Sequence, residues 1–272
     1  MLYTADMEGP QSRFEKKLGS EGWTPRQEIP MDKEYFRFQF EVADAMADRL
    51  QISLAKSVDR YAPFIFRNAF VYDKDEKMYV KREGVTPETI LDVAYDVYLK
   101  KVSTDPVEYR DGHRFGCSSI SYNPEEKTAW VHFMNAEYDS SGPLTSSKLE
   151  QRRSEIADAL RLLKEEYPDV PTINGHSWLY NLEAYRRLYP KTYTETLRAD
   201  ANERNWTEGT RLWGQFLDSD GKLRTDLAEI FMERLVRLPP DRPLSEIMTP
   251  PLMLPMFASA PAEVFYEEYG IR

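Results

Sequence analysis

Between residues 128 and 190 the chain runs strand, glycine-bearing loop, helix, strand and short helix, and this order limits the fold more than any other feature. Thr128 to Asn135 alternates, with Trp130, His132 and Met134 on one side and Val131, Phe133 and Asn135 on the other. The turn Asn123-Pro124-Glu125-Glu126-Lys127 joins it to an earlier strand over Ser118 to Ser121. After the loop AEYDSSGPLTSS, Ser147-Lys148-Leu149-Glu150 reads as a capping box. The helix it opens turns Leu149, Ile156, Leu160, Leu163 and Tyr167 inward and is stopped by Pro168. Val170 to Leu179 returns as a strand, and Glu183 to Tyr189 is a short helix ended by Pro190. If the two strands lie parallel, their crossover is right-handed. The expected class is α/β, or α+β, with a central mixed sheet flanked by helices.

Upstream, Phe38, Val42, Met46 and Leu50 recur every four residues from Asp32 onward and predict a helix, with Phe36 and Phe40 flanking the stripe. Pro63 to Tyr72 and Met78 to Glu83 read as strands of a hairpin around Asp73-Lys74-Asp75-Glu76. Thr86 caps a further helix, with Pro87 at its first position, Glu88 at the positive end of its dipole, and Ile90, Val93, Ala94 and Val97 on its apolar side. The first thirty residues read as an irregular arm with Trp23 as its docking point. The polar stretch Ser103 to Arg114 divides the chain into residues 1–115, a helix and hairpin half suited to substrate recognition, and residues 116–272. In the second half, Arg211 to Leu217 predicts a strand, and Leu227, Ile230, Phe231 and Leu235 predict a helix. From Pro239 the prolines come so densely that an apolar strap is expected, with Met253 to Phe257 as a homodimer contact.

The chain's 272 residues suffice for one large domain or two small ones. A formal net charge of -10 repels phosphate backbones, which argues against nucleic acid as a partner. A single cysteine, Cys117, excludes an intrachain disulfide. The amino terminus has neither the basic start nor the apolar run of a signal peptide, and no run reaches the ~18 apolar residues of a membrane span. A cytoplasmic protein without a membrane partner is therefore expected. His113, Cys117 and His132 lack paired ligand spacing, so no metal is expected, and His132 reads as a buried imidazole. Neither a G-x-S-x-G elbow nor a Walker loop occurs.

The loop before Ser147 places backbone N–H groups where a helix dipole favours an anion, and Ser140, Ser141 and Gly142 are small enough to admit a phosphate. Around this loop stand His132-Phe133, Gly142-Pro143-Leu144, the helix ending at Tyr167-Pro168, and GHSWLYNLEAYRRLYP from Gly175 to Pro190, with Leu238 to Ile247 later. Over about residues 128 to 250 this set resembles a bacterial acyltransferase-like family, itself similar to the carboxy-terminal half of GCN5-related N-acyltransferases. The resemblance implies a fold of that kind in the second half. It also implies acyl-coenzyme A as donor, held by Ser140, Ser141, Gly142, Ser147 and Arg152, and a small-molecule amine as acceptor. Such a transfer needs a base and an acid. The candidates are Glu137 and His176 as bases and Tyr138, Tyr180 and Tyr185 as acids, while Trp178, Leu179 and Tyr185 also read as core. The chain departs from the family where Q/R-x-x-G-x-G/A is replaced by Ser-Ser-Gly-Pro-Leu-Thr-Ser-Ser, and Pro143 removes a donor. Two alternatives follow: a non-catalytic binding or assembly module that keeps the fold, and a hydrolase using Glu137 or Asp139 with water.

Overall fold

Asp32 caps the first helix, α1 (Lys33–Leu50), by accepting the Tyr35 amide at 2.8 Å. The computed structural model describes residues 30–73, 78–104, 113–135, 142–206, 212–218, 220–249 and 252–272. The expected arm with Trp23, most of the hairpin turn and most of the 103–114 connection lie outside them. The four-residue stripe predicts α1 well: Phe38, Val42 and Met46 are buried, as is Phe36 beside them, and only Leu50 at the end is exposed.

Two short helices follow, α2 (Leu54–Tyr61), capped by Ser53, and α3 (Pro63–Ala69). The strand expected from Pro63 is thus mostly helix. Pro63 occupies the first helical turn, where its missing N–H costs nothing, and a short apolar run fits a buried helix as well as a strand. The hairpin survives in shortened form as β1 (Phe70–Asp73) antiparallel to β2 (Met78–Lys81). Helix α4 (Ile90–Thr104) begins where Thr86 predicts, since the Thr86 carbonyl accepts from Thr89 N at 3.2 Å and Ile90 N at 3.0 Å.

The sheet comes next. Strands β3 (His113–Phe115), β4 (Ser118–Asn123) and β5 (Thr128–Phe133) form an antiparallel meander. A 3₁₀ turn (Ser146–Lys148) leads into α5 (Leu149–Glu166), and β6 (Thr172–Ser177) then pairs parallel to β5. A second 3₁₀ turn (Trp178–Asn181), α6 (Glu183–Arg186), α7 (Lys191–Thr194) and β7 (Arg198–Ala199) follow. The chain then leaves the sheet for α8 (Glu203–Trp206), a 3₁₀ turn (Trp213–Phe216), α9 (Thr225–Arg237) and α10 (Leu244–Met248). It returns as β8 (Met256–Pro261) and closes with α11 (Ala262–Glu268). The order is β3-β4-β5-β6-β8-β7, and β5–β6 is the one parallel pairing among the described residues. This is the expected α/β class, a mixed sheet flanked by helices.

Two expectations for the second half change. The strand predicted up to Leu217 is a 3₁₀ turn, because Trp213 and Phe216 bury themselves against Phe38, leaving Leu217 a single bridge to Leu223. The expected proline strap is an interior strand: β8 pairs with β6 on one side and β7 on the other. Pro255 and Pro261 bracket the strand and spare its middle, so the missing N–H groups fall where a ladder tolerates them. Met256 and Phe257 therefore sit within the sheet, while Met253 before them is exposed.

Hydrophobic packing forms two cores. One gathers α1 to α4 with residues from Trp206 to Leu252, and the other gathers the sheet with α5, the tyrosines after β6, and α11. The boundary at residue 115 lies within β3, yet the 206–252 stretch packs with the first half of the chain. Arg49 stitches that return by donating from Nη1 to Leu235 O at 3.2 Å and Leu238 O at 2.7 Å, carbonyls at the end of α9. In the sheet core, Ile156, Leu160 and Leu163 of α5 are fully buried, each contributing roughly 1.5–3 kcal/mol against exposure. No described helix is long and apolar enough to cross a membrane.

Candidate functional site

The parallel β5–β6 ladder runs from Thr128↔Thr172 to Val131↔Gly175 and then stops. Both strands continue, each holding its outer neighbour: β5 stays paired with β4 to Phe133, and β6 stays paired with β8 to Ser177. The sheet therefore splits along its centre for the last two residues of each strand. His132 and His176 are the first residues past the split's apex. By alternation they face the side opposite the one on which Val131 and Gly175 meet α5 and the tyrosines.

On the inner side the apex is backed by rings. A Cβ at Gly175 would collide with the hydroxyls of Tyr180 and Tyr193, which lie directly against the backbone there. Those hydroxyls share a 2.6 Å hydrogen bond, and Tyr189 donates to the Tyr185 hydroxyl at 2.8 Å. All four tyrosines are buried, and Phe133, beyond the apex on β5, meets the Tyr185 ring at 5.4 Å. Burial raises all four phenols above the ordinary 10.0, so each keeps its proton. Tyr180 and Tyr185, expected as acids, are thus sealed behind the split.

On the opposite side the His176 side chain is 4% exposed, with Nε2 3.2 Å from Asp200 Oδ2, within ion-pair range but oblique to a hydrogen bond. His132 is exposed, against the buried imidazole expected, and its Nε2 lies 2.7 Å from Ser121 Oγ. The Trp130 ring meets the Phe257 ring edge-on at 6.0 Å, and the exposed Arg198 guanidinium lies 4.8 Å over Phe257. No group of three or more His, Cys, Asp or Glu among the described residues could hold a metal ion.

The expected anion loop divides. Glu137, Tyr138, Asp139, Ser140 and Ser141 lie outside the described residues. Gly142 is in the left-handed region at φ 73, with open space where a Cβ would be. Ser147 is not the cap: Thr145 occupies the N-cap position of the 3₁₀ turn, and the exposed Ser147 Oγ lies 3.2 Å from Thr145 Oγ1. Arg152 is 1% exposed, donates from Nε to Pro143 O at 3.0 Å, and pairs through Nη1 with Glu155. Glu155 in turn accepts the Cys117 amide at 2.9 Å. Arg152 thus bolts the loop to α5 and the β3–β4 turn and does not face an outside anion.

Sequence reasoning missed Asp200, Asn205 and Tyr193. The run Asp200-Ala201-Asn202 carries a local signal, since Asp200 Oδ1 accepts the Asn202 amide at 2.9 Å, but nothing in it points to His176. No protein-family model, curated protein or solved structure matches the chain.

Proposed function

We propose that the chain transfers an acyl group from acyl-coenzyme A to a small-molecule amine by direct attack at the split between β5 and β6. One observation carries the reading: the parallel ladder ends at Val131↔Gly175 while both strands run on with their outer partners. Inward-facing backbone groups of two diverging strands suit an amide-bearing pantetheine arm, which can bond to strand backbone as another strand would. A pyrophosphate clamp built on Arg152 does not fit, because Arg152 is committed to Glu155 and Pro143. The donor supplies a thioester carbonyl and a thiol leaving group. In this reading His176, at the lip of the split, takes the amine's proton.

A binding or assembly module is the second reading, favoured by the sealed state of Arg152 and Tyr180. A thermal-shift titration with coenzyme A and acetyl-coenzyme A separates the two, because a ligand at a hundred times its dissociation constant adds about 2.7 kcal/mol of stability. A melting temperature that climbs with either compound, together with thiol release that requires an amine, supports transfer. No climb at millimolar ligand leaves the module, and thiol release without an amine indicates a hydrolase.

A further inference from the structure

We infer that Asp200 is a positioning residue for His176, forming with it a carboxylate–imidazole pair at the lip of the split; the catalytic part of this rests on the acyl-transfer reading, the pair itself does not. The two side chains are 4% and 15% exposed and 3.2 Å apart, so little water screens their attraction. The carboxylate is fixed from several directions. Oδ1 accepts Asn202 N at 2.9 Å, and Oδ2 accepts Asn205 Nδ2 at 3.0 Å. The Asp200 backbone donates to Pro255 O at 3.1 Å and accepts from Trp206 Nε1 at 2.9 Å. A carboxylate held this firmly is not placed by chance rotation of an exposed side chain.

Its chemical effect follows from general principles. A carboxylate facing Nε2 favours the tautomer with hydrogen on that nitrogen. It also favours the imidazolium that forms when the proton arrives. In the transfer step the amine nitrogen bonds to the thioester carbon and its proton passes to His176; the carbon–sulfur bond breaks, and the thiolate takes that proton back from the imidazolium through water. The other charged or titratable groups described on this sheet face are Arg198 of β7, over the Phe257 ring that pairs with His176, and His132 of β5, bonded to Ser121.

The chain has 3 histidines, so nitrogen NMR of the imidazoles resolves His176 directly. In the wild-type chain the inference expects His176 as the Nε2–H tautomer; the Nδ1–H tautomer overturns it, whether or not any variant folds. In Asp200→Asn its titration midpoint falls by about one pH unit, and the rate of transfer drops while the donor's KM holds, with Asp200→Glu restoring part of both. An unchanged His176 midpoint in a folded Asp200→Asn chain overturns the pair. A shifted midpoint in a chain without coenzyme A-dependent turnover upholds the pair and removes the acyl-transfer reading instead.

Discussion

Tyr180 and Tyr193 meet hydroxyl to hydroxyl at 2.6 Å across the backbone of Gly175, so the last residue of β6 paired to β5 has no room for a side chain. Gly175→Ala should cost about 1–3 kcal/mol in urea unfolding, the usual penalty for overfilling a packed interior. Removing both oxygens with Tyr180→Phe and Tyr193→Phe should shrink that cost. An equal penalty in both backgrounds would show that the hydroxyls are not what excludes the methyl.

The same tyrosines set an alkaline limit. Burial holds Tyr180, Tyr185, Tyr189 and Tyr193 protonated in the folded chain above the ordinary 10.0, whereas the unfolded chain releases those protons once pH passes that value. Their stabilising contribution is whole below about pH 10 and is lost progressively as pH rises beyond it. After a jump to strong alkali, tyrosinate absorbance should rise in a fast phase from exposed rings, then in a slow phase that tracks the loss of circular dichroism. A single fast phase with the fold intact contradicts the assignment.

Arg152→Ala strands Glu155, which is largely buried, and should cost about 3–5 kcal/mol. Arg152→Met with Glu155→Gln removes both charges and keeps an acceptor for the Cys117 amide, so it should recover much of the loss. If Arg152→Ala instead left stability unchanged and weakened coenzyme A binding, the guanidinium would face the ligand after all.

Asp32 serves two segments at once: Oδ1 accepts from Tyr35 N at 2.8 Å and Oδ2 from Leu223 N at 3.2 Å. Asp32→Ala should destabilise the helical core by about 1–2 kcal/mol, and Asp32→Asn, which keeps one acceptor, by less. Equal losses in the two variants would mean that the charge matters and the cap does not.

What could be read from residue order was whatever is local. The stripe in α1, the alternation of β5 and the inner side of α5 each repeat within a few residues, and the structure keeps them except at Tyr167, expected inward but exposed at the end of α5. Pro63–Ala69 went astray because a short apolar run has no period long enough to separate helix from strand. The strand β8 hid behind its prolines, whose position relative to the ladder depends on neighbours distant in sequence. Arg152 and Glu155 carry the spacing of an ordinary surface pair, and only the packing of the Gly142–Pro143 loop and the β3–β4 turn around them makes that pair a bolt. The contact of His176 with Asp200 joins the end of β6 to the loop after β7 through tertiary structure alone.

The β7–β8 pairing has a consequence for synthesis. Ala199 lies opposite Met256, so the described residues between them form a detour that leaves the sheet and comes back to the same place. As the nascent chain emerges from the ribosome, β6 waits with one bare flank until the detour has been made, a ready template for a neighbouring chain on the same message. Burying Trp206 and Trp213 early in the helical core would draw the returning segment close and shorten that vulnerable interval.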